Sequence, residues 1–182
     1  MTESLSDKEI ITMFREENPD YAFHFLVKQY QERLYHVIRK ILINHDDTDD
    51  ILQESFIKIY QNLDNFREDS GLFSWMYRIA VNEALNFLRK QKRKYVFSAI
   101  SYEDKLSQSL TADAYFDGDE AQAKLQRAIL KLPHKQRLVF NMKYYDNMKY
   151  DEMAEILNTS KGALKASYHH AVKKIEKHLA PD

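Results

Sequence analysis

The stretch from Asp47 to Lys94 constrains the fold of this chain most strongly, because its apolar residues recur every three or four positions on either side of a short polar break. The first apolar stripe comprises Ile51, Leu52, Phe56, Ile59, Tyr60 and Leu63. The second comprises Trp75, Met76, Ile79, Ala80, Ala84, Phe87 and Leu88. This spacing is typical of amphipathic helices that bury one side. The stretch therefore predicts two helices joined by a polar loop.

Glycine and proline are scarce throughout, with three of each in 182 residues. Average usage would give roughly thirteen and nine, so the chain has few turn-forming residues and should be nearly all helix. Capping signals at Ser6–Glu9 and Asn18-Pro19 predict two further helices before the central stretch, the second running to about Ile43. The absence of cysteine excludes disulfides and Cys-based zinc sites.

The first helix of the central stretch is predicted to expose acidic and amide side chains, namely Asp50, Gln53, Glu54 and Gln61. We expect Asp47 to cap this helix, with Asp49 and Asp50 in a first turn where the helix dipole favours anions. That role explains the acidic cluster without a ligand. A metal site is the alternative, but crowded carboxylates with only His45 beside them lack the inward-facing pattern of helical metal sites. No metal and no cofactor are predicted.

The second helix places cations and amides within one narrow arc, since each residue turns the helix by about 100°. The arc contains Arg78, Asn82, Asn86, Arg89 and Arg93. Cations neutralise phosphates, and amides hydrogen-bond base edges. A solvated face would explain the charges alone, but it does not require aligned amides. The arc therefore favours a nucleic-acid surface.

A second strong pattern lies near the C-terminus, where Tyr150–Leu157 reads as a helix, Asn158-Thr159 as a turn and Ser160 as the next N-cap. The following helix has the apolar set Leu164, Tyr168, Ala171, Val172, Ile175 and Leu179. Together these segments predict a helix-turn-helix, whose second helix enters the major groove of DNA. Its predicted exposed side contains Lys161, Ala163, Lys165, Ala166, His169 and Lys173.

The periodicity predicts two helical domains, residues 1–94 and 120–182, joined by a flexible acidic linker over 95–119 in which periodicity fails. The net charge of −1 conceals an asymmetry, because residues 161–182 hold five Lys against two acids whereas 46–70 hold two basic residues against eight acids. Acidic and basic regions suggest separate surfaces for protein and nucleic acid. No apolar run approaches the roughly 20 residues that span a bilayer. The N-terminus also lacks the layout of a signal peptide, so a soluble cytoplasmic protein without membrane insertion is expected.

Two blocks of the sequence resemble a known family. DDTDDILQESFIKIYQNLDNFREDSGLFSWMYRIAVNEALNFLR resembles the second conserved region of extracytoplasmic-function (ECF) sigma factors, group 4 of the bacterial sigma-70 family. LKLPHKQRLVFNMKYYDNMKYDEMAEILNTSKGALKASYHHAVKKIEKHL resembles their fourth region. The resemblance implies a two-domain all-α protein that binds core RNA polymerase, directs it to promoter DNA and catalyses nothing alone. An anti-sigma factor is the implied third partner.

The resemblance also implies residue roles. Asp50, Gln53 and Glu54 would dock on the polymerase. An unstacked base of the −10 element would be captured by a loop containing Asn65, Phe66, Arg67 and Ser70, and the strand held by Arg78, Asn82, Asn86 and Arg89. The −35 element would be read by Ser160, Lys161, Ala163, Lys165, Ala166, His169 and Lys173. The linker would follow the polymerase cleft toward the RNA path.

Departures from the family pattern accompany the resemblance. The segment Ala163–Val172 lacks three arginines that family members often carry, so the promoter sequence it reads cannot be transferred, and Ala163 and Ala166 could instead touch thymine methyls. Lys149 stands where a capping Ser or Thr is usual. Met76 follows Trp75 where primary sigma factors have a second Trp, so melting is expected to depend more on the loop from Asn65 to Ser70.

Two other functions remain open at the level of sequence. A free-standing helix-turn-helix regulator fits residues 120–182, although it has no use for an acidic docking helix coupled to a second nucleic-acid face. A metal-dependent nuclease or phosphohydrolase would use Asp46, Asp47, Asp49 and Asp50. Metal-dependent turnover by the purified protein alone would favour that enzyme.

Overall fold

The computed structural model describes residues 5–95 and 120–180, and every regular element in those two ranges is helical. The predicted all-α class is therefore confirmed for the described residues. The chain divides into two compact units, residues 1–88 and 89–182. The predicted linker over 95–119 lies outside the described residues, apart from Tyr95 at the end of a helix.

The N-terminal helices are α1 (Asp7–Glu16), α2 (Pro19–Leu42), α3 (His45–Asn62) and α4 (Leu72–Tyr95), with a short 3-10 helix over Leu63–Asn65. The predicted capping box of α1 is present, because the Glu9 amide donates to Ser6 Oγ at 3.3 Å and the Ser6 amide donates to Glu9 Oε2 at 2.7 Å. Asn18 caps α2 by accepting from the Tyr21 amide at 3.0 Å. Local capping thus fixes both helix starts where the sequence predicted them.

The start of α3 corrects a prediction. The N-cap is Asn44, whose side chain accepts from the Asp47 amide at 2.9 Å, and not Asp47. Asp46 and Asp47 therefore occupy the first turn, and Asp49 and Asp50 lie one turn further on. Asn44 takes the N-cap position because it directly follows Ile43, whose left-handed backbone (φ 65°) ends α2 and redirects the chain.

The core of the first unit contains most of the predicted apolar residues. Buried positions include Ile10, Phe14, Leu26, Tyr30, Leu34, Ile38, Ile51, Ile59, Leu63, Met76, Ala80, Ala84 and Leu88. Tyr77 and Val81 are also buried, although the stripe proposed for α4 omitted them. Tyr60 was predicted to be buried but is 37% exposed, and its hydroxyl donates to Asp20 at 2.8 Å.

Helix α1 is attached to α2 through Tyr30. The Tyr30 hydroxyl donates to the Asp7 carboxylate, and its ring stacks on Phe73 with 5.8 Å between centroids. Burial and the Asp7 carboxylate raise the pKa of Tyr30 to about 12. The hydroxyl therefore stays protonated and able to donate at neutral pH.

The second unit contains α5 (Glu120–Leu130), α6 (His134–Tyr144), α7 (Tyr150–Leu157) and α8 (Lys161–Leu179). Its core is formed by Ala128, Ile129, Leu132, Phe140, Ala171 and Ile175, with Leu125, Tyr145, Tyr168 and Val172 packed against it. Leu179 was predicted on the buried side but is 43% exposed. It ends α8, one turn past the last buried residue, Ile175.

Helices α7 and α8 form the predicted helix-turn-helix. Asn158 ends α7 with a left-handed backbone (φ 47°), and Ser160 caps α8 by accepting from the Ala163 amide at 3.3 Å. Lys149 gives α7 no side-chain cap, because an ammonium group has only donors. The Glu152 carboxylate instead accepts from the Lys149 amide at 3.0 Å, so the start of α7 keeps one of the two bonds of a capping box.

Candidate protein and nucleic-acid interfaces

The predicted docking residues share one exposed face of α3. Asp50, Gln53 and Glu54 are all exposed, and their spacing places them on adjacent turns. Opposite them, Ile51, Phe56 and Ile59 are buried in the unit. Packing on that side fixes the orientation of α3, so the acidic face is presented by a rigid element.

Ile57 belongs to the same face and was missed by sequence reasoning. It is 52% exposed, and it follows Gln53 and Glu54 at intervals of four and three residues. Its neighbours Phe56 and Ile59 belong to the buried stripe, so Ile57 is an apolar side chain outside that stripe. The sequence signal that could have indicated this position is an apolar residue outside the three- and four-residue spacing of the α3 stripe. Apolar side chains within a polar surround are typical of the centre of protein interfaces.

The loop between α3 and α4 has a mixed surface. Asn65 ends the 3-10 helix and is exposed, as is Arg67, whereas Ser70 is half-buried. Phe66 is 5% exposed, and its ring packs against Trp75 with centroids 5.2 Å apart. The aromatic ring predicted to meet a base therefore faces the protein interior in this conformation.

Arg15 contacts this loop and was not singled out by the sequence. Its guanidinium makes an ion pair with the Glu68 carboxylate at 2.9 Å and donates a second hydrogen bond to the Phe66 carbonyl. The loop is therefore fixed by α1 as well as by α4. Arg15 and Phe66 are 51 residues apart in the chain, so no local sequence pattern indicates that they are in contact.

The predicted arc on α4 is largely presented to solvent. Arg78, Asn82, Arg89 and Arg93 are exposed, and Asn86 is half-buried. The opposite side, with Met76, Ala80, Ala84 and Leu88, is buried. The structure thus brings the cations and amides onto one face, as the sequence predicted, and leaves their contact with nucleic acid as a prediction.

A surface depression of about 300 Å³ lies beside this arc, between α3 and α4. It is lined by Lys58, Asn62, Trp75, Ile79, Asn82 and Glu83. Lys58 and Glu83 form an ion pair at 2.7 Å across the two helices. The depression is lined by one aromatic ring, two amides, one aliphatic side chain and a paired cation and anion.

The predicted reading face of α8 is exposed along its whole length. Ser160, Lys161, Ala163, Lys165, Ala166, His169 and Lys173 are all exposed. Leu164, Ala171 and Ile175 on the other side are buried. Burial of that side fixes α8 in the unit, so the predicted −35 face is directed outward.

Two cations of this face interact with α7. Lys161 forms an ion pair with Asp151, and the hydrogen bond from Lys161 lowers the pKa of that carboxyl. The Lys165 ammonium lies 5.8 Å from the centre of the Tyr150 ring, within the range of a cation–π contact. Asp151 and Tyr150 therefore influence how these two lysines are presented, and sequence reasoning assigned neither of them a role.

The acidic residues at the start of α3 were the candidates for a metal-dependent enzyme. Within residues 5–95 and 120–180, no group of three or more His, Cys, Asp or Glu side chains is arranged to hold a metal ion. His45 Nδ1 lies 3.3 Å from Asp49 and 3.0 Å from the Tyr35 hydroxyl. Among the described helices, none is long and apolar enough to cross a membrane.

Comparison with known families gives two matches in chain order. Residues 26–94 match the model of sigma-70 region 2, and residues 122–175 match that of sigma-70 region 4. The first match contains the α3 face, the loop and the α4 arc. The second contains α7 and α8 as far as Ile175.

Similar proteins extend over almost the whole chain. The ECF RNA polymerase sigma factor SigW of Bacillus subtilis is 33% identical over 87% of this chain and 89% of its own length. The ECF RNA polymerase sigma-E factor of Salmonella typhimurium is 30% identical over 100% of this chain and 98% of its own length.

Two solved structures have a similar fold. The sigma factor RpoE of Bartonella quintana, in complex with the anti-sigma factor NepR, has a TM-score of 0.67 at 21% identity, covering 86% of this chain and 96% of that chain. CnrH, in complex with the cytosolic domain of CnrY, has a TM-score of 0.69 at 22% identity, covering 95% of this chain and 96% of that chain.

Proposed function

We propose residue-level functions from the premise that this chain belongs to the extracytoplasmic-function sigma factors, group 4 of the sigma-70 family. The protein is a sigma factor that directs RNA polymerase in promoter recognition and transcription initiation. Its roles are divided among residues 1–94, the linker 95–119 and residues 120–182. The observation that carries the assignment is the presence, within the first compact unit, of an acidic exposed face on α3 and of the part of the α4 arc that contains Arg78, Asn82 and Asn86.

The α3 face is the proposed docking surface for core polymerase. Asp50, Gln53 and Glu54 provide charge and hydrogen-bonding groups, and Ile57 provides an apolar contact at their centre. Rim charges set the rate and specificity of association, while a buried apolar residue contributes affinity. We include Ile57 in the docking surface on this ground.

The loop and the α4 arc form the proposed −10 site. Cations at Arg78 and Arg89 would hold the phosphates of the separated strand. The depression beside Asn82 would receive an unstacked base, because Trp75 offers a stacking wall and the Asn82 amide can hydrogen-bond a base edge. The Asn62 amide nitrogen donates to the Lys58 carbonyl at 2.8 Å, so Asn62 would contribute its carbonyl oxygen. Asn65, Arg67 and Ser70 lie on the loop that borders this strand, and Phe66 supports the loop from inside.

The exposed face of α8 is the proposed −35 reader. Lys165 and His169 are the polar side chains that would reach base edges, and Ala163 and Ala166 can contact thymine methyls. Ser160 and Lys161 lie at the N-terminus of the helix, where recognition helices approach the groove. Lys173, about three turns beyond Lys161, pairs with Glu176 at 3.1 Å in the free protein and would exchange this partner for a phosphate.

We further propose that the protein has no catalytic activity of its own and acts in the cytoplasm, where core polymerase and promoters meet. An anti-sigma factor is the proposed regulatory partner, supported by the family to which the chain belongs.

The test is reconstitution. Purified full-length protein is incubated with bacterial core RNA polymerase, captured, and used for transcription of genomic DNA with mapping of RNA 5′ ends. We expect stable capture and new starts that share upstream sequence elements. Core polymerase that neither binds the protein nor gains new starts would contradict the assignment and favour a free-standing DNA-binding regulator.

A further inference from the structure

Arg15 provides two separate attachments for the loop that precedes α4. One guanidinium nitrogen pairs with the Glu68 carboxylate at 2.9 Å, and the other donates to the Phe66 carbonyl. A planar guanidinium presents its donors in a fixed fork, so two simultaneous bonds fix the Phe66 carbonyl and the Glu68 carboxylate relative to each other. A lysine ammonium has three donors, but it is a point charge on a flexible stem and lacks the planar fork.

The loop needs this support at one particular residue. Glu68 has a backbone φ of 60°, in the left-handed region that side chains other than glycine rarely adopt. Such a conformation persists only where surrounding contacts hold it. Trp75 fixes the loop through the Phe66 ring, and Arg15 holds the Phe66 carbonyl and the Glu68 side chain, one on each side of Arg67. The exposed Arg67 side chain is thus placed between two anchored residues.

Arg15 does not form part of the core that holds α1 in place. Ile10, Ile11 and Phe14 are buried at 4% exposure or less, whereas the Arg15 side chain is 33% exposed. The Ser6 capping box and the Tyr30–Asp7 bond also lie at the other end of α1. The helix therefore keeps its principal anchors when Arg15 is replaced.

We propose that Arg15 is a positioning residue for promoter opening, which holds the loop from Asn65 to Ser70 in the conformation that borders the proposed base site beside Asn82 and so contributes to base selectivity. The proposal rests on the −10 role proposed above. Arg15 lies outside the matched region 26–94, so it extends the functional unit to a helix that the family match does not include.

The experiment uses the full-length protein with core polymerase and a promoter mapped with the wild type, whose −10 element is randomised in a library. The variants are Arg15→Ala, Arg15→Lys and Glu68→Gln. Lys8→Ala is the matched control, because Lys8 is an exposed cation on the same helix and its loss changes the net charge equally. Closed-complex affinity, opening rate, base preference in the transcripts and thermal midpoint are measured for each.

We expect Arg15→Ala to slow opening about tenfold, the scale of a charge-assisted hydrogen bond. Base preference should flatten at the position of the unstacked −10 base, while closed-complex affinity and thermal midpoint match those of Lys8→Ala. Arg15→Lys should recover part of the opening rate, and Glu68→Gln should show a smaller loss. If Arg15→Ala proves unstable, the opening rate and base preference of Arg15→Lys and Glu68→Gln test the same prediction, because both variants leave the α1 core unchanged.

Opening slowed equally for every −10 sequence, with base preference unchanged, would overturn the positioning role and assign Arg15 to stability alone. If the wild type gives promoter-specific starts and the Arg15 variants behave like Lys8→Ala, this inference fails and the proposed function stands. If the wild type gives no promoter-specific starts, both fail.

Discussion

Phe66 and Trp75 pack ring against ring, with centroids 5.2 Å apart, and this contact joins the loop to the helix that carries the amide arc. Phe66 is 5% exposed, while Trp75 also lines the depression between α3 and α4. The buried Phe66 ring thus supports the loop, and the Trp75 ring forms part of the wall of the depression. The pair sets the distance between the loop and the proposed base site.

Phe66→Leu and Phe66→Ala separate packing from base stacking. Because the ring is buried, Ala should lower the free energy of unfolding by about 3–5 kcal/mol, and Leu, which fills more of the volume, by much less. If the ring acts by packing, Phe66→Leu keeps most of its promoter-opening activity. Denaturant unfolding and permanganate reactivity measure the two properties. A stable Phe66→Leu that no longer opens promoters would show that the ring itself meets DNA.

Glu54→Lys tests the docking face. The position is exposed and lysine is a good helix former, so the thermal midpoint should stay near that of the wild type. Affinity for core polymerase should fall by about tenfold or more, because like charges facing each other across an interface cost several kcal/mol. Glu16→Lys on α1 is the control for the same change of charge at an exposed site. If Glu54→Lys and Glu16→Lys both fold normally and bind core polymerase with equal affinity, Glu54 is not part of the interface.

Lys165→Ala tests base readout by α8. Loss of a base contact should weaken binding to the cognate −35 duplex and relax selection at one or two positions, each contact being worth roughly 1–3 kcal/mol. Lys174→Ala is the matched control, because Lys174 is an exposed lysine about half a turn around the same helix from Lys165. If Lys165→Ala binds every duplex sequence more weakly by the same factor, Lys165 contacts phosphate and not a base.

Asp151→Asn tests the ion pair that links α7 to the reading helix. The wild-type carboxylate pairs with Lys161 and places a negative charge beside the proposed −35 face. Its removal should raise affinity for duplex DNA about three- to tenfold and steepen the salt dependence by about one counterion. Lys161→Ala should act in the opposite direction. The measurement is the duplex binding constant as a function of salt concentration. If Asp151→Asn leaves the slope of log binding constant against log salt concentration unchanged, Lys161 does not reach phosphate.

The sequence predicted the elements well because their signals are local. The Ser6 and Asn18 caps, the stripes of α3 and α4, and the turn at Asn158 all depend on residues within a few positions of one another. The predicted Asp47 cap was wrong because Asn44, three residues earlier, had an equally suitable side chain that the crowded acids obscured. Solvent exposure of the proposed α3 and α8 site residues also followed from periodicity.

The features that sequence reasoning missed are contacts between distant segments. Arg15 meets Phe66 and Glu68 only through the packing of α1 against the rest of its unit, and the Lys58–Glu83 pair requires α3 and α4 to lie side by side. The burial of Phe66 likewise depends on Trp75. Spacing along the chain gives no indication of such pairs, which form when helices with independently predictable faces pack together.

The amide arc is where a solvated surface and a DNA-reading surface differ most in their consequences. Asn82→Ala with Asn86→Ala removes hydrogen-bonding groups without changing charge, and alanine is the better helix former. A solvated face predicts normal stability and normal function. Gln31→Ala, an exposed amide on α2, is the matched control. Arg89→Ala should instead lower affinity for all DNA and reduce its salt dependence, since it removes a phosphate contact.

Permanganate footprinting of the −10 region by the reconstituted holoenzyme tests the central claim most directly, with −35 duplex binding measured in parallel. The wild type should expose reactive thymines at promoters where core polymerase alone exposes none. The Asn82 and Asn86 double variant should bind the −35 duplex normally and lose most of this reactivity. Normal melting by the double variant would contradict the claim that the exposed face of α4 reads promoter DNA through its amides.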